Sequence, residues 1–385
     1  METDLALQIA ISSCYNHEAA ERWQQLLNEA HPNWAVLADY ASGLGLAPLL
    51  YDSIRRSDES LVPVEILSSL RKHYYDTAGG NLLILRELVA ILRIFDAVGI
   101  DVVVLKGAAL IQDVYEKLAY RPMVDLDLLI RFDDLTLATE HLEQQGYRAI
   151  HPTPFQDESG LYWNEVMLVQ QNNIGPAIEL HWHLLDNPYY ATRLKTESLI
   201  ERSRQLSVAD VTPRVLNVED QIIHLCCHNL YHHLGRFTRS LVDIAFLVAK
   251  YGDEIVWEDI TQRSEDSDTT MAVGLAVEQL SDNWYTPIPD FVIAKTSAWK
   301  PSIRERLYAR SQANEYFRAL RTLTALPGSR NKMRYIKGQL FPERGYIEWR
   351  YGLGSDTPLP VGYIKRYLNG LGGIGRAIVR RPQRQ

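Results

Sequence analysis

Residues 102–130 read VVVLKGAALIQDVYEKLAYRPMVDLDLLI, and the fold class turns on this stretch. Val102, Val103, Val104 and Leu105 form a short β-branched apolar run, the mark of a buried strand. Lys106-Gly107 follows as a turn, and Ala108 to Leu118 reads as helix. Val124 to Ile130 is a second strand, with Leu126, Leu128 and Ile130 on one face and Asp125, Asp127 and Leu129 on the other. Residues i and i+2 of a strand project the same way, about 6–7 Å apart. Two carboxylates at that spacing suit one or two Mg²⁺ ions, because two-metal phosphoryl-transfer sites hold their ions about 3.5–4 Å apart. The bland alternative is a solvated strand face, but aspartate is a poor strand former, and two inside an apolar strand argue for chemistry.

The turn between the strands fits the same idea. Gly107 lets backbone approach a phosphate, the following helix offers N–H groups, and Lys106 adds a point charge. Arg121 lies just before the aspartates, placed to contact a triphosphate, to stand on the surface or to pair with Asp125. Further on, AIELHWHL (177–184) alternates Glu179, His181 and His183 with Ile178, Leu180 and Trp182. Glu179 is therefore a candidate third carboxylate, to orient metal or serve as general base.

A second cluster comprises His224, Cys226, Cys227, His228, His232 and His233. His224, His228 and His232 recur every four residues and are expected to line one helix face. Zinc is one reading, but there is no H-E-x-x-H and the cysteines fall on other faces. The other is a helix packed beside the active site, with His228 and His232, like His181, contacting substrate.

Around this centre the chain divides into four expected parts. Residues 1–98 read as a helical region, with Gly43, Gly45 and Pro48 breaking Trp34–Arg56. Asn81 to Val98 is an amphipathic helix whose inward face is expected to hold Leu82, Leu85, Leu88, Val89, Leu92 and Phe95, with Gly99 just past its end. Residues 99–215 read as the α/β core: a helix over Asp133–Gln145 closed by Gly146, then strands Val166–Gln170 and Ala177–His183 joined by a turn of Asn172, Asn173, Gly175 and Pro176. Residues 216–325 return to helix, at 219–234, 238–251, 270–282 and 303–325, and residues 326–385 read as an irregular segment.

The bulk composition narrows the function. At 385 residues the chain is long enough for two or three domains. A formal charge of −8 argues against a general nucleic-acid binder, although the tail from Arg376 is basic. Three cysteines make no disulfide framework, which implies a reducing, cytoplasmic setting. The N-terminal METDLALQIA lacks a signal-peptide pattern, no apolar run reaches membrane-spanning length, and no membrane partner is expected.

With LKGAAL (105–110), RPMVDLDLLI (121–130), Gln145-Gly146-Tyr147 and IELHWHLL (178–185) in view, the chain resembles the uncharacterised nucleotidyltransferase family related to the polymerase-β-type superfamily. LADYASGLGLAPLLY (37–51), HLCCHNLYHH (224–233) and SLVDIAFLV (240–248) extend the resemblance over roughly residues 30–290. It implies an α+β fold: a polymerase-β-like nucleotidyltransferase core with a small mixed sheet, flanked by N- and C-terminal helical regions. It also implies Mg²⁺ as cofactor and a nucleoside triphosphate as partner. Gly107 matches the turn glycine, Asp125 and Asp127 the metal pair, and Glu179 stands as the third carboxylate. Where the superfamily turn is usually Gly-Ser or Gly-Gly, this one reads Gly107-Ala108. The implied activity is transfer of a nucleoside monophosphate to an unknown acceptor, a small molecule or protein ahead of nucleic acid, with pyrophosphate released. The alternative is a degraded nucleotide-binding or scaffold protein of the same fold.

Overall fold

The computed structural model describes residues 3–29, 32–150, 157, 159–171, 175–208, 210–312, 314–354 and 356–379. The chain opens with α1 (Thr3–Ser12), α2 (His17–Glu29), α3 (Trp34–Gly43) and α4 (Ala47–Arg56). The expected break between the last two is present: Gly45 takes a left-handed φ of 71°, and Pro48 sits in the first turn of α4. The next helix, α5 (Val64–Ala97), is 34 residues long. It runs straight through Gly79 and Gly80, where each glycine costs a helix about 1 kcal/mol. Packing carries it across, since α5 buries Leu70, Asn81, Leu85, Leu88, Ile91, Leu92 and Phe95. Leu82 is 59 % exposed, contrary to expectation. It lies about 100° round the helix from Asn81, and the polar Asn81 takes the inward place.

Asn81 is inward because it clamps the connection that enters the aspartate strand. Its amide donates to the carbonyls of Leu118 at 2.5 Å and Arg121 at 2.8 Å, and its carbonyl oxygen accepts from the Met123 N–H at 3.1 Å.

The sheet begins with β1, only Val103–Val104, although Val102 and Leu105 are buried beside it. Then α6 spans Lys106–Asp113, shorter than the expected run to Leu118. The Asp113 carboxylate is bonded by Arg204 and Tyr251, and its carbonyl by Lys250. Lys250 thereby takes the carbonyl that another helical turn would use. β2 is Asp125–Leu129, followed by a 3₁₀ turn at Phe132–Asp134, α7 (Leu135–Gln144) and β3 (Tyr147–Ala149). Strands β4 (Glu165–Gln170) and β5 (Ala177–His181) form the expected antiparallel hairpin; Asn172 and Asn173 of its turn lie outside the described residues. Next come α8 (Pro188–Ala191), α9 (Thr196–Arg202), β6 (Arg204–Gln205) and β7 (Arg214–Val215).

Together they make one seven-stranded mixed sheet in the order β3-β4-β5-β2-β1-β7-β6. β2 is parallel to β5 and antiparallel to β1. Leu126, Leu128, Ile178 and Leu180 are fully buried on one face. The opposite face is left for the acidic residues.

The C-terminal half is helical: α10 (Val218–Cys227), a π-helical turn at His228–His232, α11 (Thr238–Tyr251), α12 (Trp257–Ser267), α13 (Thr270–Asn283), α14 (Asp290–Ala298), α15 (Ile303–Ser311) and α16 (Glu315–Ala325). The helix expected over 303–325 is therefore two, because Asn314 starts a new one by accepting hydrogen bonds from the N–H groups of Tyr316 and Phe317. Residues 326–385, expected to be irregular, instead hold α17 (Gly328–Leu340), α18 (Arg344–Tyr351) and α19 (Leu359–Val379). The prolines and glycines that obscured the pattern are boundaries: Pro327 opens α17, left-handed Gly352 ends α18, and Pro358 precedes α19. One hydrophobic core runs from α1 to α15, and a small cluster of Tyr162, Leu326 and Tyr335 holds α17 to the segment before β4.

Candidate active site

The parallel register of β2 and β5 sets Asp127 directly beside Glu179, and Leu129 beside His181. The period of two puts Asp125 on the same face as Asp127, and Glu179 on the same face as His181. On the other side of β5, β4 brings Glu165 opposite His181. Three adjacent strands thus present four carboxylates and one imidazole from one face.

Lys106 completes the group. The Leu105 N–H donates to the Asp127 carbonyl at 3.0 Å, which delivers residue 106 to the aspartate. Lys106 adopts φ 46°, a left-handed conformation that costs a non-glycine residue about 1 kcal/mol or more. In that conformation its Nζ lies 2.6 Å from Asp127 Oδ1 and 3.9 Å from Glu179 Oε2. His181 bridges the carboxylates: Nε2 is 3.1 Å from Asp127 Oδ1 and 3.5 Å from Glu179 Oε2, and Nδ1 is 3.0 Å from Glu165 Oε2.

The titration behaviour follows from this geometry. Burial disfavours a charged His181, yet Glu165, Asp127 and Glu179 together hold its pKa well above the usual value. Burial likewise opposes ionisation of Asp127, and Lys106 and His181 overcome it, holding Asp127 well below the carboxylate range. Glu165 is half-buried, which opposes its ionisation, and His181 draws it down to about 2. Asp125 moves the other way, raised by burial and then by the charge of Asp127. At Glu179 the His181 hydrogen bond favours ionisation, but burial, Asp127 and Glu165 outweigh it and raise the pKa. Four carboxylates face two cations, so negative charge is in surplus, and the raised pKa values of Asp125 and Glu179 are its mark.

That surplus suits a divalent cation. Ligand atoms of Asp127, Glu179 and His181 all lie within 4.8 Å of one another, and with His181 held in its charged form the two carboxylates are the donors of that group. The oxygen donors match the preference of Mg²⁺.

Other expected site residues have different surroundings. Gly107 is the second residue of α6, and a Cβ there would meet Met123 Cγ at 3.1 Å and Arg121 Nη1 at 3.6 Å. Its small size lets those two side chains cover the turn, while the left-handed position belongs to Lys106. The Arg121 guanidinium is paired: Nε lies 3.0 and 3.2 Å from the two oxygens of fully buried Asp243, and Nη1 donates to the Pro122 carbonyl. Asp243 also accepts from the Tyr115 hydroxyl at 2.6 Å.

The histidine segment borders the site. Burial, then the charges of Lys106 and His181, push His224 down to about 3. Burial and Lys106 keep His228 well below its ordinary value, and His232, though exposed at its edge, is lowered mainly by the desolvation of its inner side. These are neutral imidazoles. The π-helical turn carries the chain past the single α-helix expected over 219–234; the His228 and His232 rings stack at 5.1 Å, and His224 sits edge-on to His228 at 6.5 Å. Among the described residues, the group of His, Cys, Asp and Glu spaced for a metal is the one on the sheet, not the histidine face. The zinc reading of this segment therefore falls.

Sequence reading missed Glu165, Asp243 and Asn81. Glu165 was within reach, since a hairpin register pairing residue 165 with 181 would have put it beside the histidine. No local signal marks Asp243 or Asn81, whose partners lie 122 and 40 residues away.

Residues 30–283 match the family model described as uncharacterised nucleotidyltransferase. The match covers well over half the chain, and the protein belongs to that family. Its expected α+β architecture, a mixed sheet flanked by helices, is the one observed. No curated protein matches. Among solved structures the chain is similar to an antigenic nucleotidyltransferase-like protein from Paracoccidioides brasiliensis, with 13 % identity, a TM-score of 0.34, and coverage of 55 % of this chain and 96 % of that one.

Proposed function

We propose that the protein is a Mg²⁺-dependent nucleotidyltransferase that passes a nucleoside monophosphate from a triphosphate to an acceptor and releases pyrophosphate. The carrying observation is the adjacency of Asp127 and Glu179 on parallel strands, with Asp125 on the same face and negative charge in surplus. Asp125, Asp127 and Glu179 would hold Mg²⁺, which when bound offsets the phosphate charge and aligns the attacking and leaving oxygens. Lys106, on its four-carbon stem, can turn from Asp127 toward phosphate oxygen. Glu179, with its raised pKa, is the carboxylate suited to take a proton from an acceptor hydroxyl. His181 fixes the carboxylates through its Nε2 hydrogen bond to Asp127 and its Nδ1 ion pair with Glu165. Arg121 acts through Asp243 to set the turn at Gly107, and its positive charge adds to the field at Asp125. The neutral faces of His228 and His232 are proposed to contact the nucleotide or acceptor. We place the enzyme in the cytoplasm, where its buried thiols Cys14, Cys226 and Cys227 stay reduced.

Two observations favour a second reading, a nucleotide-binding protein without turnover. Asp127 is already satisfied by Lys106 at 2.6 Å and by His181, and Ala108 offers no hydroxyl to a phosphate. Thermal denaturation with each of the four nucleoside triphosphates, with and without Mg²⁺, tests both. A ligand at a hundred times its dissociation constant stabilises by about 2.7 kcal/mol. A Mg²⁺-dependent shift with pyrophosphate release supports the transferase. A shift without release supports the binding protein. No shift with any triphosphate would falsify both.

A further inference from the structure

Residues 328–369 hold eight Lys and Arg, three Asp and Glu and no His: net +5 in a chain whose formal charge is −8. The helices carrying this charge also expose apolar side chains in order. On α17, Tyr335 and Gly338 face inward. Met333, Ile336 and Leu340 are exposed at i, i+3 and i+7, a single stripe on the opposite face. Lys332 flanks the stripe on one side and Lys337 on the other, with Arg330 and Arg334 beyond Lys337. On α19 the pattern recurs: Gly362 is buried, Val361, Ile364 and Leu368 are exposed at i, i+3 and i+7, and Lys365 lies beside them.

The two helices are joined where the first stripe ends. The Tyr367 hydroxyl donates to the Leu340 carbonyl at 2.6 Å, the Tyr363 hydroxyl donates to the Pro342 carbonyl at 3.1 Å, and the exposed Phe341 ring lies 5.8 Å from Tyr363. Leu340 and Phe341 therefore form an apolar corner between two stripes bordered by lysine and arginine.

We propose that this face of α17 and α19 docks on an anionic lipid bilayer and lies in its interface. Aliphatic side chains enter the headgroup–acyl boundary while flanking lysines and arginines reach phosphate, the pattern of interfacial helices. Anionic lipid complements the net +5. Three alternative partners fit less well. Single-stranded nucleic acid uses aromatic platforms and has no use for Met333, Ile336, Val361, Ile364 and Leu368. A second copy would bring like charge against like charge. A protein groove would have to accept two helices whose other faces are already packed on this chain. No helix among the described residues is long and apolar enough to cross a membrane, so the helices lie on the surface. This revises the expectation of no membrane partner, and it stands independently of the proposed catalysis.

Flotation of the full chain with vesicles tests it, using phosphatidylcholine alone and phosphatidylcholine mixed with phosphatidylglycerol, at low and high salt. Binding is expected only to the mixture and is expected to weaken with salt. The double variant Ile336→Glu and Ile364→Glu replaces two exposed side chains. Its melting temperature should hold while vesicle binding falls at least about tenfold. Replacing Lys337 and Lys365 by Gln should weaken binding and flatten its salt dependence. The proposal is overturned if the full chain does not float with the anionic vesicles at low salt. It is equally overturned if the double isoleucine variant, still folded, binds them as well as wild type. A dimer in light scattering that the same double variant abolishes, without vesicle binding, reassigns the face to a second copy.

Discussion

Two segments carry titratable side chains at regular intervals, and the regularity fared differently in each. On β2 and β5 the alternation placed Asp125 with Asp127 and Glu179 with His181, and pairing with neighbouring strands locked the faces together. On the histidine segment the interval of four kept the rings in succession, His224 edge-on to His228 and His228 stacked on His232, yet no metal group forms among the described residues there. A strand's period is enforced from both sides by its neighbours. Burial opposes charge in both segments, and beyond it one pair of cations sets them apart. Lys106 and His181 favour the charged form of Asp127 and disfavour the charged form of His224. The same cations ionise one region and neutralise the other.

The sharpest way to break this contrast is Asp127→Asn. Pyrophosphate release should fall on the order of a thousandfold or more, with far-UV circular dichroism unchanged. The substitution also removes the carboxylate that Lys106 and His181 share, so the His181 pKa, followed by NMR, should drop. Full turnover in this variant would remove the strand pair from the mechanism.

Asp243→Asn should act on stability instead. It leaves the buried Arg121 guanidinium without its carboxylate, and breaking such a pair costs about 3–5 kcal/mol. Chemical denaturation should show this with the nucleotide-free protein. A loss below 1 kcal/mol would mean that Arg121 is free to serve the substrate. Glu165→Gln should come next, lowering activity or Mg²⁺ affinity about 10–100-fold by loosening His181. If Glu165 were only a strand residue, the His181 pKa would not move.

How legible was all this in the sequence? The strand–turn–helix–strand order, the two-faced aspartate strand and Glu179 followed from residue alternation alone. Lys106 was read as a phosphate ligand, and its ion pair with Asp127 depends on a backbone bond from Leu105 across the sheet. Arg121 was weighed against triphosphate and Asp125, while its actual partner is on α11. Leu82 was expected inward because hydrophobicity was the only guide, and Asn81 displaced it through three hydrogen bonds to a distant loop. The last sixty residues read as irregular because prolines and glycines at three helix boundaries fell close together. What escaped reading is consistently what depends on partners far along the chain.

The smallest expected effect concerns the histidines, and it sharpens the contrast at its other end. His224 has an ordinary pKa of 6.5 and is held at about 3 in the folded chain. The folded state therefore binds this proton less readily than the unfolded one. The stability its neutral form contributes is complete above pH 6.5 and is lost progressively as pH falls toward 3. Replacing His224 with Gln keeps a polar side chain of similar reach and removes the titration. Its melting temperature should decline less steeply than wild type over that window, even if the variant is less stable at neutral pH. The carboxylates on the sheet contribute acid lability of their own, through Asp127 and Glu165, whose folded pKa values are lowered, so the slope should flatten without vanishing. An unchanged slope would mean that His224 is charged in the folded protein. Lys106 and His181 would then not be suppressing charge on the neighbouring helix, and the shared electrostatic cause drawn between the two segments would fail.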